Sequence, residues 1–232
     1  SKSGPTMTSG DINGDGTDDF YVGGSRGVAG HLFLSNGEEW IQSAMPVFEK
    51  DKKYEDSEAV FFDYDDDKDL DLFVASGGSD RLEGDEIYKN RLYQNNDGGF
   101  RKMSFPGTAV NSSAVLAHDF DKDGDLDLFV GGYVKTNRYP NSDASSFFRN
   151  DKGRFVEITE DWLPNPELGI IFDAIVVDLD GDDNHELMAV GEWMPITVLS
   201  FNGNFFENKT EAFGLKKTVG WWNSIATADL DG

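Results

Sequence analysis

The residues best suited to chemistry are carboxylates at alternate positions of one short segment that recurs along the 232-residue chain. The segment reads acid, any residue, acid or Asn, any residue, acid, with a further acid four positions later. Complete copies begin at Asp11, Asp63, Asp119 and Asp178, and a fifth opens at Asp229. Oxygen atoms at alternate positions of a tight turn can surround a hard cation such as calcium, which takes six to eight oxygen ligands at about 2.3–2.6 Å.

Electrostatic repulsion supports the same interpretation independently of the spacing. Two carboxylates about 4 Å apart repel by about 4 kcal/mol at an effective dielectric of about 20. The five copies hold 22 of the 44 acidic side chains, so half of the acid behind the net charge of −24 is concentrated in them. A single acidic run is more often a solvated linker, but linkers do not recur in phase with apolar strands. The segments are therefore predicted to bind calcium; magnesium resists dehydration and suits such a cage less well.

The positions within each copy have different expected roles. Positions 1, 3, 5 and 9 would supply side-chain oxygens, and position 7 a backbone carbonyl. Glycine at position 6, as at Gly16 and Gly124, permits a sharp backbone reversal. Lys68 stands there in the second copy, which predicts the weakest or most distorted of the four sites unless Asp66 and Asp69 compensate. An EF-hand is excluded, because it needs Glu at position 12, where this chain has Val22, Val74, Val130 and Ala189.

The elements that must position these loops are short strands. Each complete copy runs into an apolar stretch that ends in glycine, and an apolar strand precedes each later copy. Two more short strands flank a hairpin signal such as Asn36-Gly37 or Asn202-Gly203. That makes four strands per repeat, and the spacing of 51 to 59 residues between copies is close to one four-stranded propeller blade.

The predicted fold class is all-β. It is a β-propeller segment of four-stranded antiparallel blades, with four complete or near-complete blades and the start of a fifth. Residues 1–232 form a single propeller region in this prediction, with repeats at about 6–55, 56–110, 111–169 and 170–220, and the next begins in 221–232.

Composition excludes several function classes. The strong negative charge would repel nucleic acid and anionic membrane surfaces. The chain has no cysteine, so disulfides and thiolate metal sites play no part. No apolar stretch approaches the roughly 20 residues of a membrane span. The first eight residues lack the character of a signal peptide, so any export signal is expected to lie outside this sequence.

The aspartate segment before a strand resembles the FG-GAP repeats of integrin α-subunit propellers and the related VCBS repeats of bacterial surface proteins. Three further segments resemble bacterial proteins of the ASPIC/UnbV and cartilage-acidic-protein type: Leu92-Tyr93-Gln94-Asn95, Gly191-Glu192-Trp193-Met194-Pro195 and Gly220-Trp221-Trp222-Asn223-Ser224. The resemblance implies a propeller of about seven blades, with structural calcium between the first two strands of a blade, about four ions in this chain. It also implies an extracellular, cell-surface or periplasmic location. Four intervals fall short of seven blades, so the chain is predicted to be a fragment whose open blade edges could pair with another copy.

Carried over position by position, the resemblance implies twenty metal ligands: Asp11, Asn13, Asp15, Thr17, Asp19, Asp63, Asp65, Asp67, Asp69, Asp71, Asp119, Asp121, Asp123, Asp125, Asp127, Asp178, Asp180, Asp182, Asn184 and Glu186. The fourth copy departs from the pattern, with Asp183 at the glycine position and the longer Glu186 at position 9.

If calcium is structural, a binding partner should dock at the other end of the blades, on the long connections between second and third strands. The candidate ligand-binding residues are Arg81, Glu83, Arg138, Tyr139, Glu192 and Trp193. The predicted function is a non-enzymatic module of an exported or cell-surface protein that binds a protein or glycan, as in adhesion.

The alternative is a carbohydrate-active enzyme, a glycosidase or lyase, in which Glu83 and Asp85 do acid/base work. Against it, His31, His118 and His185 occupy different places in their repeats, with no nucleophile signature nearby.

Tryptophans offer a second possible contact for a ligand. Trp193, Trp221 and Trp222 could stack on a sugar, although burial between blades is the more common explanation for such residues.

Overall fold

A computed structural model describes residues 5–78 and 82–228. Four antiparallel sheets make up most of the regular structure; each contains four strands in chain order, and a short fifth strand joins the fourth sheet. The all-β prediction is confirmed. Arg81 lies outside the described residues, as do Asp229 and the rest of the fifth acidic segment.

Each sheet is a simple meander, and we call the sheets the first to fourth blades. The first contains β1 (Met7–Gly10), β2 (Asp19–Val22), β3 (His31–Ser35) and β4 (Trp40–Ser43). The second contains β5 (Asp56–Phe62), β6 (Asp71–Ser76), β7 (Arg91–Gln94) and β8 (Arg101–Lys102). The third contains β9 (Ser112–His118), β10 (Asp127–Gly132), β11 (Ser146–Asn150) and β12 (Phe155–Glu157). The fourth contains β13 (Ile170–Val177), β14 (Glu186–Met194), β15 (Thr197–Phe201) and β16 (Phe206–Asn208).

A few elements lie outside the four meanders. The short strand β17 (Gly220–Trp221) pairs with the far end of β14. The helices α1 (Pro46–Lys50) and α2 (Thr159–Trp162) follow the last strands of the first and third blades. A single 3₁₀ turn, Glu86–Tyr88, interrupts the connection from β6 to β7. No described helix has the length and apolar character needed to cross a membrane.

The blades pack face to face around a common inner line. The first strands β1, β5, β9 and β13 contact one another in succession, so they form the inner edge. A core lies between each pair of neighbouring blades, and its largest members are aromatic. Tyr21, Phe61 and Tyr93 lie in the first core, Phe62, Phe73 and Phe148 in the second, and Phe129, Phe147 and Phe206 in the third.

Burial of the second strands explains their sequence. All six residues of β6 and all six of β10 are buried, because each strand has another blade on both faces. A strand buried on both faces needs a continuous apolar run instead of alternation. The runs Leu72-Phe73-Val74 and Leu128-Phe129-Val130 supply it.

A buried polar network joins the first two blades. The Arg91 guanidinium lies 2.6 Å from the Asp56 carboxylate, and both side chains are 3% exposed. The other Asp56 oxygen accepts hydrogen bonds from the Tyr21 hydroxyl at 2.6 Å and from the Gly24 N–H at 2.7 Å. This pairing lets charged groups remain inside an otherwise apolar core.

Candidate metal sites

The four acidic segments form the turns between the first and second strands of the four blades. Because every blade has the same strand order, these turns lie at the same end of their blades. We call them the first to fourth acidic loops, with position 1 at Asp11, Asp63, Asp119 and Asp178.

The loops share one hydrogen-bond pattern. The position 1 carboxylate accepts the backbone N–H groups of positions 5 and 6; in the first loop Asp11 accepts from Asp15 at 3.1 Å and Gly16 at 2.8 Å. Equivalent bonds form at Asp63, Asp119 and Asp178. The position 5 carboxylate accepts the N–H of position 7 in every loop. Four segments of different sequence therefore adopt one turn.

That turn requires left-handed backbone at two positions, 4 and 6. Gly16 and Gly124 have φ of 86° and 100°, and the non-glycine residues at position 6, Lys68 and Asp183, have φ of 74° and 64°. The position 4 residues are Gly14, Asp66, Lys122 and Gly181, with φ between 58° and 75°. A Cβ at Gly16 or Gly124 would meet nothing within 4 Å, so the turn restricts φ and leaves room for a side chain.

Lys68 does not distort the backbone of the second loop. Lys68 adopts the left-handed conformation itself, and its N–H donates to Asp63 at 2.9 Å as the glycines do in their loops. The remaining cost is local strain of roughly 1–2 kcal/mol for an L-residue in this region. Whether the positive charge weakens metal affinity stays a prediction.

The position 9 carboxylates differ from the others because they are buried. Asp19, Asp71 and Asp127 are 0% exposed. In each, one oxygen accepts the N–H of loop position 2 and the other accepts an N–H at the end of the third strand, from Ser35, Asn95 or Asn150. Burial raises the pKa of Asp71 and of Asp127 to about 7, more than those backbone hydrogen bonds lower it. A cation beside such a carboxylate would favour its charged form.

Glu186 fits the same place despite its longer arm. Its Oε2 accepts the N–H of Leu179 at 3.0 Å, the position 2 bond of the other loops. Its Oε1 accepts the Ser200 hydroxyl at 3.1 Å, where the other blades use a backbone N–H. The extra methylene is thus accommodated by a side-chain partner.

Three loops bring carboxylate oxygens together within 4.8 Å of one another. The groups are Asp63, Asp65, Asp67 and Asp71; Asp119, Asp121 and Asp127; and Asp178, Asp180 and Glu186. Among the described residues, the first loop forms no such group of three. Asn13 replaces one acid there, and Asp15 turns its Oδ1 to the backbone N–H and hydroxyl of Thr17 at 2.9 and 2.5 Å. The second loop, expected to be the weakest or most distorted unless Asp66 and Asp69 compensate, gathers the most carboxylates of the three groups.

The donor set of the second loop fits a hard cation. Asp65 Oδ1 is buried and accepts no hydrogen bond, while its Oδ2 accepts one from Gln94 at 2.7 Å. Burial of that oxygen without a partner is costly unless a donor or a cation satisfies it. Asp63, Asp65, Asp67 and Asp71 could supply several of the carboxylate oxygens that calcium takes.

At the opposite end, the structure brings together three of the predicted ligand-binding residues. Tyr139 Oη donates to Glu192 Oε1 at 2.6 Å, and Trp193 Nε1 donates to Tyr139 Oη at 2.8 Å. Glu83 and Arg138 form a separate, exposed pair 3.9 Å apart.

Asp85, the second carboxylate of the enzyme alternative, has a structural role. It caps the 3₁₀ turn by accepting the N–H of Ile87 at 3.1 Å.

The explanation that the tryptophans are buried between blades is wrong for all three. Trp193, Trp221 and Trp222 are 60%, 55% and 37% exposed. They lie on or next to β17 and its partner strand β14.

Sequence reasoning missed contacts that link the loops of neighbouring blades. Asn95 Nδ2 and Asn150 Nδ2 reach back to carbonyl oxygens in the preceding blade's loop. His118 Nε2 and His185 Nδ1 lie 3.3 Å apart across the third and fourth blades. Only the asparagine contacts could have been suggested by the sequence. Each asparagine is followed three residues later by a glycine of the same hairpin, Gly98 or Gly153.

Comparison with known proteins supports the repeat assignment for part of the chain. No curated protein matches the sequence. A family model described as an FG-GAP-like repeat matches residues 63–130. That range runs from position 1 of the second acidic loop to the end of the apolar run that follows the third acidic loop. The chain therefore carries an FG-GAP-like repeat over residues 63–130, in the second and third blades of a propeller-like array.

Proposed function

We propose that the chain is a calcium-binding β-propeller module of an exported or cell-surface protein that recognises a protein or glycan partner. Calcium has a structural role in this proposal. The observation that carries it is the second loop, where four carboxylates converge and Asp65 Oδ1 is buried without a hydrogen-bond partner. The resemblance to ASPIC/UnbV and cartilage-acidic-protein sequences supports the same kind of module.

The ligands of positions 1, 3, 5 and 9 would hold the ion, with a carbonyl from position 7. When bound, calcium supplies positive charge that offsets the repulsion among these carboxylates. The chain itself supplies the positioning. The position 1 carboxylate shapes the turn, and the buried position 9 carboxylate ties it to the third strand. Calcium would thereby stabilise the acidic loop through which each blade contacts its neighbour.

We propose a non-enzymatic role because the carboxylates considered for catalysis have other partners. Glu83 pairs with Arg138 and Asp85 caps a turn. The charge of −24 also disfavours nucleic acid as the partner.

Calorimetric titration of the chelator-treated chain with calcium, repeated with magnesium, tests the proposal. We expect calcium to bind and to raise the melting temperature, since a ligand specific for the folded state at about 100 times its Kd stabilises by about 2.7 kcal/mol. Asp65→Ala should remove one binding event, because it deletes the position 3 oxygen ligand, which an Asn side chain would retain. Glu38→Ala, the loss of an exposed acid in a hairpin turn, is the matched control. The proposal is wrong if calcium neither binds nor raises the melting temperature.

A further inference from the structure

A large cleft opens at the end of the blades opposite the acidic loops. Its volume is about 1220 Å³, and its walls come from the second, third and fourth blades. The lining includes the connection that follows β10 and the end of β14, which are distant from the acidic loops along their strands. The cleft is therefore separate from the acidic loops.

The lining is polar and acidic. Glu58 and Glu192 contribute carboxylates, and several serine, threonine and asparagine side chains contribute hydroxyl and amide groups. Lys135 is the one basic residue among the described residues of the lining, and it pairs with Glu167 at 2.8 Å. An anionic ligand would meet an excess of acidic over basic side chains here.

An ordered chain of hydrogen bonds presents aromatic rings at one wall. Glu192 is 9% exposed and accepts from the Tyr139 hydroxyl, which in turn accepts from the Trp193 indole N–H. The Trp193 ring then lies 5.6 Å from the ring of Trp221, which lines the cleft. Tyr139 and Trp221 remain 59% and 55% exposed. The buried carboxylate therefore fixes aromatic surfaces that are left open to solvent.

Backbone strain lies at the same wall. Trp193 has φ of 57°, a conformation that is a genuine outlier for a bulky residue. It falls where the pairing of β14 with β17 shifts register between Glu192 and Met194. Such irregularities re-aim side chains and are frequent beside binding sites.

A further polar group in the lining has no partner. Ser57 Oγ is buried, lines the cleft and makes no hydrogen bond. A hydroxyl can both donate and accept, so it is suited to a ligand that also carries hydroxyl groups.

We propose that this cleft binds a neutral oligosaccharide, stacked on Trp221 and hydrogen-bonded to Glu192 and the neighbouring hydroxyl groups. Sugar rings combine apolar faces with many hydroxyls, which matches exposed indoles beside carboxylate and hydroxyl groups. Acidic polysaccharides are disfavoured by the charge of the lining. The inference rests on the proposed recognition function and names its ligand class.

The test uses the calcium-saturated chain and four probes of equal length. These are neutral hexasaccharides of glucose and of N-acetylglucosamine, hexagalacturonate and hexalysine, each followed by calorimetry and tryptophan fluorescence. We expect at least one neutral hexasaccharide to bind more tightly than hexagalacturonate and hexalysine. Trp221→Ala and Glu192→Gln should each weaken that binding about tenfold, the loss expected for a central contact residue.

Trp40→Ala is the matched control, because Trp40 is also 60% exposed but its indole N–H donates to Asp18 at the acidic-loop end. It should leave saccharide binding unchanged. The inference would be overturned if neither neutral hexasaccharide binds, or if hexagalacturonate or hexalysine binds more tightly. It would also be overturned if Trp221→Ala and Glu192→Gln retain full binding. Calcium titration of the same samples tests the proposed metal binding separately, because the acidic loops do not include Trp221 or Glu192. A chain that binds calcium but neither neutral hexasaccharide would overturn this inference and leave the proposed calcium binding intact.

Discussion

Asn95 Nδ2 donates a hydrogen bond to the carbonyl oxygen of Ile12 over 2.7 Å, across 83 residues of sequence. Ile12 is position 2 of the first acidic loop, and the backbone N–H of Asn95 donates to Asp71, position 9 of the second. One buried residue therefore fastens two acidic loops to each other. Asn150 repeats the arrangement with Tyr64 and Asp127, so neighbouring blades are linked through their loops.

Replacing Asn95 with Ala should lower the free energy of unfolding by roughly 1–3 kcal/mol, because the Ile12 carbonyl loses its donor in a buried place. Denaturant unfolding measures the change. Asn96→Ala is the control, since Asn96 is exposed and its neighbouring turn bond uses only the backbone. Equal effects of the two substitutions would show that the inter-blade contact contributes nothing.

Lys68→Gly should stabilise the metal-free protein by about 1 kcal/mol, because glycine adopts φ of 74° without the strain of a side chain. It should also tighten calcium binding by removing a positive charge from the loop. Thermal unfolding in chelator and calcium titration measure the two effects. Gly124→Ala should lower the stability of the metal-free protein, because Gly124 has φ of 100° in the third loop. A loss of stability in Lys68→Gly would contradict the prediction.

Asp71 and Asp127 predict an unusual pH dependence. Burial raises each pKa from an ordinary value of 3.8 to about 7 in the folded metal-free protein. The folded state then binds more protons than the unfolded state between these values, so the contribution of these groups to stability falls as pH rises from about 4 to about 7. Saturating calcium should reduce this fall, because it favours the charged carboxylates.

Denaturant unfolding across that pH range, in chelator and in calcium, measures this dependence. Asp127→Asn cannot titrate, so it should show a shallower fall in chelator than the unaltered chain. The prediction would be refuted by identical slopes for the two proteins.

Arg91→Met should lower the free energy of unfolding by about 3–5 kcal/mol, because it leaves the Asp56 carboxylate buried beside Tyr21 without its cation. Arg138→Met removes an exposed ion pair with Glu83 and should cost less than about 1 kcal/mol. Denaturant midpoints at pH 7 measure both. Similar losses for the two would mean that Arg91 is not electrostatically required.

The acidic loops and their flanking strands could be predicted because their determinants are local. Alternate carboxylates within nine residues, followed by an apolar run, specify turn and strand without reference to distant residues. Position 6 does not require glycine. Lys68 and Asp183 adopt the same left-handed backbone, since the site has room for a side chain and the shared hydrogen bonds hold the turn.

The sequence by itself determined the repeated strands, the acidic loops and the excess of negative charge, because each depends on residue type and short-range spacing. Only the tertiary structure decided which distant groups meet: Asn95 with Ile12, Arg91 with Asp56, and Tyr139 with Glu192. It also decided that Trp193 and Trp221 face solvent and not a core. Those outcomes depend on how whole blades pack, since the burial of a side chain and its partners are properties of neighbouring sheets and not of its own segment.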